Sequence, residues 1–208
     1  MIEVNVLTGT MLETNNYVLI NSENAVMIEA SCSVESIKNV LQGRKLTAIL
    51  LTHGHWDHYW ELESLSKEFN CPIYMTREAK EKIEKKEKTF AGDRNPKIDL
   101  TNVEINYVSN SDEIKFDDEL CFKVLSTPGH TNCSVSYLLN SNGETIVFTG
   151  DLIFRDGVGR TDLPTGNFEN LKSSIKKILE LNDETLLLSG HGRPTIVGEE
   201  RENLLSLF

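Results

Sequence analysis

The chain lacks any apolar run approaching the ~18 residues that a membrane span requires. Its first residues, Met1-Ile2-Glu3-Val4-Asn5-Val6, have neither the basic start nor the apolar stretch of a secretory signal. Positive charge is scarce: 21 Lys and Arg face 32 Asp and Glu, a net charge of -11. Such a surface repels polyanions, which sets aside nucleic acid and anionic membranes as default partners. The four cysteines (Cys32, Cys71, Cys121, Cys133) form no C-x-x-C pair and read as separate reduced thiols, as expected of a cytoplasmic protein. Cys133, three residues after His130, reads as a small buried hydrophobe rather than a ligand. There is no G-x-S-x-G elbow to carry a serine nucleophile, no low-complexity segment and no internal repeat.

What is present suits a soluble globular protein. At 208 residues the chain can bury a substantial core, and it reads as a single domain spanning 1–208. Alternating or continuous apolar runs predict strands at 3–8, 16–21 and 24–29, with Asn15-Asn16 and Asn21 to Asn24 as turns. Ser33 is a fitting N-cap for a helix reaching Gly43. Strand 46–51, helix 59–69 and strand 72–75 follow. The charged stretch 76–88 reads as a helix with a solvated face held by pairs four residues apart, and Thr89 to Leu100 reads as a loop. The second half predicts strands at 102–108, 113–116, 119–126, 135–140 and 144–149, a helix at 168–180, a strand at 185–188 and a short helix at 198–206.

Chemistry concentrates at strand ends. Leu46 to Leu51 runs into Thr52-His53-Gly54-His55-Trp56-Asp57-His58, which holds three of the five histidines. Imidazole nitrogens and carboxylate oxygens are ligands for zinc or iron. His53 and His55, two apart on extended chain, point the same way; Asp57 and His58 belong on the turn beyond and face a neighbouring position. Three other strands end in a glycine and then a ligand-type residue: Thr127-Pro128-Gly129-His130, Phe148-Thr149-Gly150-Asp151 and Leu188-Ser189-Gly190-His191. Together these four strand ends carry every histidine in the chain.

The H-x-H-x-D-H pattern at His53, His55, Asp57 and His58 resembles the signature of the metallo-β-lactamase superfamily. The Thr127 to Thr131, Phe148 to Asp151 and Gly159-Arg160-Thr161-Asp162-Leu163-Pro164 segments most resemble its glyoxalase II-like hydrolases. The resemblance implies an α/β fold, the αββα four-layer sandwich, with two divalent metal ions. Zinc is the first expectation, and iron or manganese the alternatives. Carried over by motif position, one ion takes His53, His55 and His130 and the other Asp57, His58 and His191, while Asp151 bridges. Asp57 and Asp151 are then the carboxylates expected in catalysis. Two cations ~3.5–4 Å apart would share a hydroxide that attacks an ester or thioester carbonyl of a small-molecule substrate. A persulfide dioxygenase-like enzyme with one iron on His53, His130 and Asp151 is an alternative; a non-catalytic metal-binding domain is another. A β-lactamase proper is disfavoured, because Asp151 stands where those enzymes commonly have cysteine. A homo-oligomer is left open.

The chain departs from the family pattern in three places. Tyr59-Trp60-Glu61 replaces small residues, and its bulk should narrow the approach to the metals or repack the following helix. Glu29-Ala30-Ser31 replaces an Asp-Pro-Gly-like turn, and Glu29 is expected to reach the same partners from behind the ligands. Only 17 residues follow His191, too few for the helical domain with which glyoxalase II binds glutathione, so weak discrimination between glutathione thioesters and simpler ones is expected. Arg155, Arg160 and Arg193 lie near Asp151 and His191 in sequence and are candidates for an anionic substrate group. Arg160, beside Asp162, reads as structural.

Overall fold

The structure, a computed structural model, describes residues 2–85 and 98–204. Residues 86–88 of the expected charged helix, 89–97 of the expected loop and 205–206 of the expected terminal helix lie outside the described residues. Within them, no helix is long and apolar enough to cross a membrane.

The first half builds one six-stranded sheet. Its elements are β1 (Glu3–Thr8), β2 (Asn15–Ile20), β3 (Ala25–Ile28), α1 (Val34–Leu41), β4 (Leu46–Leu50), α2 (Leu62–Phe69), β5 (Ile73–Met75), α3 (Arg77–Lys85) and β6 (Ile105–Tyr107). The strands lie in sequence order. β1 to β3 pair antiparallel, as short turns allow; β3 to β6 pair parallel, with α1 and α2 as crossovers. Ser33 caps α1 as expected, accepting from the Ser36 amide at 3.2 Å.

The second half builds another sheet. Here the elements are β7 (Glu113–Lys115), β8 (Cys121–Ser126), β9 (Val135–Ser141), β10 (Glu144–Gly150), a small hairpin of β11 (Ile153–Phe154) and β12 (Gly157–Val158), α4 (Phe168–Leu179), β13 (Leu186–Ser189), β14 (Thr195–Ile196) and α5 (Val197–Asn203). The order is β14-β13-β10-β9-β8-β7, with the hairpin apart.

Period-two alternation explains the layering. Along β2, β3 and β4, Val18, Ile20, Met27 and Ile49 join a core with Ile37, Leu41, Leu62 and Leu65 of α1 and α2. Their neighbours Tyr17, Leu19, Val26, Ile28, Ala48 and Leu50 join a second core with Phe122, Val124, Tyr137, Leu139 and Phe148 of the other sheet. Val147 and Leu187 point the opposite way, into a third core with Leu171, Ile175 and Ile178 of α4. Strands buried on both faces must be apolar on both. Three cores separating four layers make an αββα sandwich.

Several sequence expectations are corrected. Asn15 and Asn16 are interior residues at the start of β2, not turn residues. Asn15 donates to the carbonyls of Ser189 and Gly192 at 3.0 and 2.9 Å, and Asn16 donates to Ser31 Oγ at 2.9 Å. The turn lies just before them, where Leu12 and Glu13 take positive φ of 51° and 56°. The strand expected over 102–108 is only Ile105–Tyr107, because Asn102 adopts a left-handed turn (φ 66°). α3 has the expected ion pairs, Lys80 to Glu84 and Glu81 to Lys85. Its Lys82, however, is buried and donates to Thr165 Oγ1 at 2.9 Å.

The strand ends that carry ligand-type residues meet at one edge, where the sheets are stitched together. The Val135 amide donates to the Thr52 carbonyl at 2.9 Å, and the Asn15 amide to that of Gly190 at 2.7 Å. Tyr17 Oη donates to the Ser189 carbonyl at 2.6 Å, and Tyr137 Oη to that of Leu51 at 2.8 Å.

Phe148 lies at the centre of the layer between the sheets, fully buried, with its ring edge-on to Tyr17 at 5.2 Å. Phe148→Ala should cost about 3–5 kcal/mol of folding free energy, because the facing sheets cannot close the void. Urea unfolding of both proteins in chelator measures it; a loss under about 1 kcal/mol would show that the layer repacks.

Candidate metal centre

After β4 the chain stays extended through His53 and His55, then closes a 3-10 turn over Trp56–His58. Trp56 and Tyr59 anchor that turn by burying their rings in the core beneath α1 and α2. His53 Nε2 thereby lies 3.2 Å from His55 Nδ1. His130, delivered after β8 by a Gly129 whose φ is 147°, brings Nε2 to 2.8 Å from the same His55 atom. A second cluster forms beside the first. Asp57 Oδ2 lies 3.3 Å from His191 Nε2 and 3.5 Å from His58 Nε2. Asp151, at the end of β10, stands between them: Oδ1 is 3.3 Å from His58 Nε2, while Oδ2 is 3.4 Å from His130 Nε2 and 3.7 Å from His191 Nε2. All seven residues singled out in the sequence are brought together here. Cys133 is not; it is buried in the first core beside Thr131.

Partners behind the rings set which nitrogen faces inward. Thr52 Oγ1 donates to Glu29 Oε1 and so accepts from His53 Nδ1 at 2.9 Å. His130 Nδ1 donates to the Arg160 carbonyl at 2.8 Å, and His191 Nδ1 to the Leu12 carbonyl at 3.1 Å. For His53 and His130 the inward Nε2 is left with a lone pair, whereas the inward Nε2 of His191 faces the Asp57 carboxylate. Glu29 fills the place expected of it: it is buried at φ 64°, holds Thr52, and sets Oε1 3.1 Å from His58 Nδ1. Glu29, His53 and His58 therefore form a further close group, but through the outward ring atoms. Thr14 donates to Asp57 Oδ2 at 3.1 Å. Thr14 and Thr52 are contributions that sequence reading missed, since a threonine near a turn carries no signal of its distant partner.

Electrostatics separate the rings into two groups. Burial, reinforced by the neighbouring imidazoles, drives His53 well below the ordinary value and His55 down to about 3; burial also lowers His130. These three are neutral and ready to ligate. Burial opposes charge on His58 too, but Asp151, Asp57 and Glu29 outweigh it and hold the ring well above the ordinary value. Burial opposes charge on His191 as well, yet the bond to Asp57 and the field of Asp151 raise it. Burial would raise Asp57 and Asp151, but His58 and its neighbours hold both below the usual carboxylate range.

The protein alone does not satisfy this cluster. His55 Nε2, both ring nitrogens of His58 and Asp151 Oδ1 are buried without an aligned hydrogen-bond partner. Inward-facing lone pairs on His53 and His130 converge on one atom of His55, whose single hydrogen must be shared between them. Cations fit this geometry. The triads His53, His55, His130 and Asp57, His58, His191 each hold their donor atoms within 4.8 Å of one another.

A cleft of about 380 Å³ opens over Asp57, Asp151, His55, His130 and His191. Its remaining walls are Leu12, Phe154, Val158, Gly159, Arg160 and Leu163. Tyr59 and Trp60 do not line it. Their bulk repacks the base of α2, where Trp60 meets Trp56 edge-on at 5.4 Å. Arg160 donates twice to Asp162, at 2.7 and 2.6 Å, as its motif suggested. Arg155 stands 3.9 Å from Glu199, and neither Arg155 nor Arg193 lines the cleft.

An αββα sandwich with histidine and aspartate clusters on its strand ends defines a metal-dependent enzyme of the metallo-hydrolase type. The chain belongs to the metallo-beta-lactamase superfamily, whose sequence profile matches residues 9–191. It is 33% identical to the probable metallo-hydrolase YqgX of Bacillus subtilis, covering 92% of this chain and 90% of that one. It is 31% identical to the hydroxyacylglutathione hydrolase GloC of Haemophilus influenzae, covering 88% and 87%. Among solved structures it resembles BLEG-1, a B3 metallo-beta-lactamase (TM-score 0.83, 29% identity, 96% and 97% covered). It is equally similar to TTHA1623 in a di-iron-bound form (TM-score 0.83, 29% identity, 96% and 98% covered).

The pKa directions predict how the metal-free protein responds to pH. His53, His55 and His130 are neutral when folded but take up protons when unfolded, so their contribution is lost as pH falls below about 6.5. His58 and His191 act oppositely: their contribution is full below about 6.5 and lost as pH rises through their higher folded values. Asp57 and Asp151 add a loss at still lower pH. Stability should therefore peak near about pH 6.5 and fall more steeply on the acid side, by up to about 4 kcal/mol per pH unit. Urea unfolding in chelator at several pH values tests this; a stability that climbs steadily from pH 6.5 to 8 would contradict it.

Proposed function

We propose that this protein is a cytoplasmic metallo-hydrolase that cleaves thioesters or esters of small molecules with two divalent ions, zinc first. The reading rests chiefly on one observation: Asp151 Oδ2 lies 3.4 Å from a ring nitrogen of one cluster and 3.7 Å from a ring nitrogen of the other. His53, His55 and His130 would hold one ion, Asp57, His58 and His191 the other, and Asp151 both. When bound, such a pair of cations polarises a carbonyl and supplies a hydroxide near neutral pH.

The chain's own groups do the remaining work. Glu29, through Thr52, fixes the tautomer and tilt of His53; Thr14 orients Asp57; the Arg160 and Leu12 carbonyls fix His130 and His191. Asp57 and Asp151 stay ionised, so both carboxylates remain available to ligate and to counter positive charge on the cleft floor. In the overall reaction, water's oxygen bonds to the acyl carbon and the carbon–sulfur or carbon–oxygen bond breaks. Its electron pair leaves on sulfur or oxygen, giving a carboxylic acid and a thiol or alcohol. A thiolate departs without a dedicated acid, which favours thioesters. The open cleft above the ligands supports catalysis over a purely structural metal site. Similarity to GloC keeps glutathione thioesters in the test panel, and similarity to BLEG-1 adds a β-lactam.

Protein purified under metal-replete conditions should carry two ions per chain by elemental analysis, and chelation should abolish thioester hydrolysis. One ion at full occupancy, with oxygen uptake on a persulfide, would overturn this in favour of a mono-iron enzyme.

Asp151→Ala should lower kcat/KM by more than the ~10–100-fold typical of a residue that merely supports a ligand, and should weaken both sites. Glu29→Gln should fall inside that range. Loss of a single ion from Asp151→Ala, with the other held normally, would show that Asp151 does not bridge.

A further inference from the structure

The walls of the cleft differ sharply from its floor. The floor is carboxylate and imidazole; the walls are aliphatic and aromatic. Leu12, 61% exposed and at φ 51°, hangs over the His191 side, its carbonyl bonded to that ring. Phe154 stands on the same side, its ring 6.1 Å from the imidazole of His191. Val158 and Leu163 line the cleft with them, and Gly159, next to Val158, lies against His130. The hairpin that carries Phe154 and Val158 is held in place: the Asp156 amide at its tip donates to the buried Glu200 of α5 at 3.2 Å. Among the described residues lining the cleft, the one cation outside the imidazoles is Arg160, engaged by Asp162.

We infer, resting on the hydrolase reading above, that the substrate is a thioester or ester whose acyl group is apolar and uncharged, seated among Leu12, Phe154, Val158 and Leu163. A carboxylate on the acyl group would lose its water among these four side chains, where the one guanidinium, Arg160, is engaged by Asp162. An aliphatic acyl group would displace water from all four side chains and gain by burial. The volume of about 380 Å³ is at the small end for ligand sites, which limits the acyl group to a few carbons beyond the carbonyl.

The test uses the metal-loaded protein and thioesters of one small neutral thiol, N-acetylcysteamine, carrying acetyl, propionyl, butyryl, pentanoyl or succinyl groups. We expect kcat/KM to rise about threefold per methylene from acetyl to pentanoyl, somewhat below the full burial of each CH₂. Succinyl should fall at least about tenfold below butyryl. Leu12→Asn, which keeps the carbonyl and suits left-handed backbone, and Phe154→Ser should each reduce the gain to less than about twofold per methylene. A flat or falling series, or succinyl matching butyryl, would overturn the inference while leaving the hydrolase reading intact. Failure to cleave any member would remove the hydrolase reading instead. The apolar seat would then be decided by calorimetric binding of pentanoate against acetate: at least about tenfold tighter binding of pentanoate supports it, and equal binding overturns it.

Discussion

Removing Asp151 and His58 from water is the costly act on which the structure turns. A buried carboxylate and a buried imidazole lose hydration worth several kcal/mol each, and mutual attraction recovers this only where geometry is good and remaining lone pairs are satisfied. Here they are not all satisfied. His58 Nε2 is 3.3 Å from Asp151 Oδ1, yet neither atom has an aligned hydrogen bond. The arrangement persists because rigid backbone from both sheets imposes it, and it becomes favourable when cations take up the unpaired donors. Metal binding and stability are thus coupled: ligand affinity includes relief of a cost already borne by the fold.

Close backbone approach is the second requirement. A side chain at Gly190 would put its Cβ 2.4 Å from Asp151 Oδ1 and 2.6 Å from His58 Cε1. A side chain at Gly150, where φ is 52°, would put Cβ 2.4 Å from Thr52 Oγ1, the hydroxyl linking Glu29 to His53. The glycines before Asp151 and His191 are therefore packing conditions of the cluster. They let β10 and β13 end against the β4 loop without wedging the sheets apart.

These conditions explain what could be read from sequence. Strand-to-ligand junctions are local: an apolar run, a glycine and a histidine or aspartate lie together in the chain. The four junctions were accordingly legible, and the family resemblance that they carry implied the αββα layering. Glu29 was legible as a support only through the family pattern, because Glu29-Ala30-Ser31 stands where that pattern has an Asp-Pro-Gly-like turn. Thr14 was not, because its partner Asp57 is 43 positions away and nothing in Leu12-Glu13-Thr14 marks the reversal of φ. Asn15 and Asn16 read as turn residues by composition, whereas long-range bonds to Ser189, Gly192 and Ser31 draw them inside. The cleft walls were hidden for the same reason. Leu12, Phe154, Val158 and Leu163 come from three separate loops and only the fold juxtaposes them.

Ligands and walls are also held by different means, which separates what the site can do from what it accepts. The ligands sit at strand ends, fixed by three cores and by hydrogen bonds from Glu29, Thr52 and Thr14. The walls sit on the β1–β2 turn, the β11–β12 hairpin and the segment following it. The turn is tied by the Leu12 carbonyl to His191 and by Thr14 to Asp57, and the hairpin by Ile153 to Thr149 and by its tip to Glu200 and Asn203. A side-chain change at Leu12, Phe154 or Leu163 leaves the cores and the ligand-orienting bonds in place, because none of the three belongs to a core and those bonds use the backbone carbonyls of Leu12 and Arg160. Selectivity can therefore shift by substitution at a wall position without disturbing the geometry that binds the ions. The reverse does not hold, since moving a ligand ring releases the carbonyl that keeps the wall over the cleft.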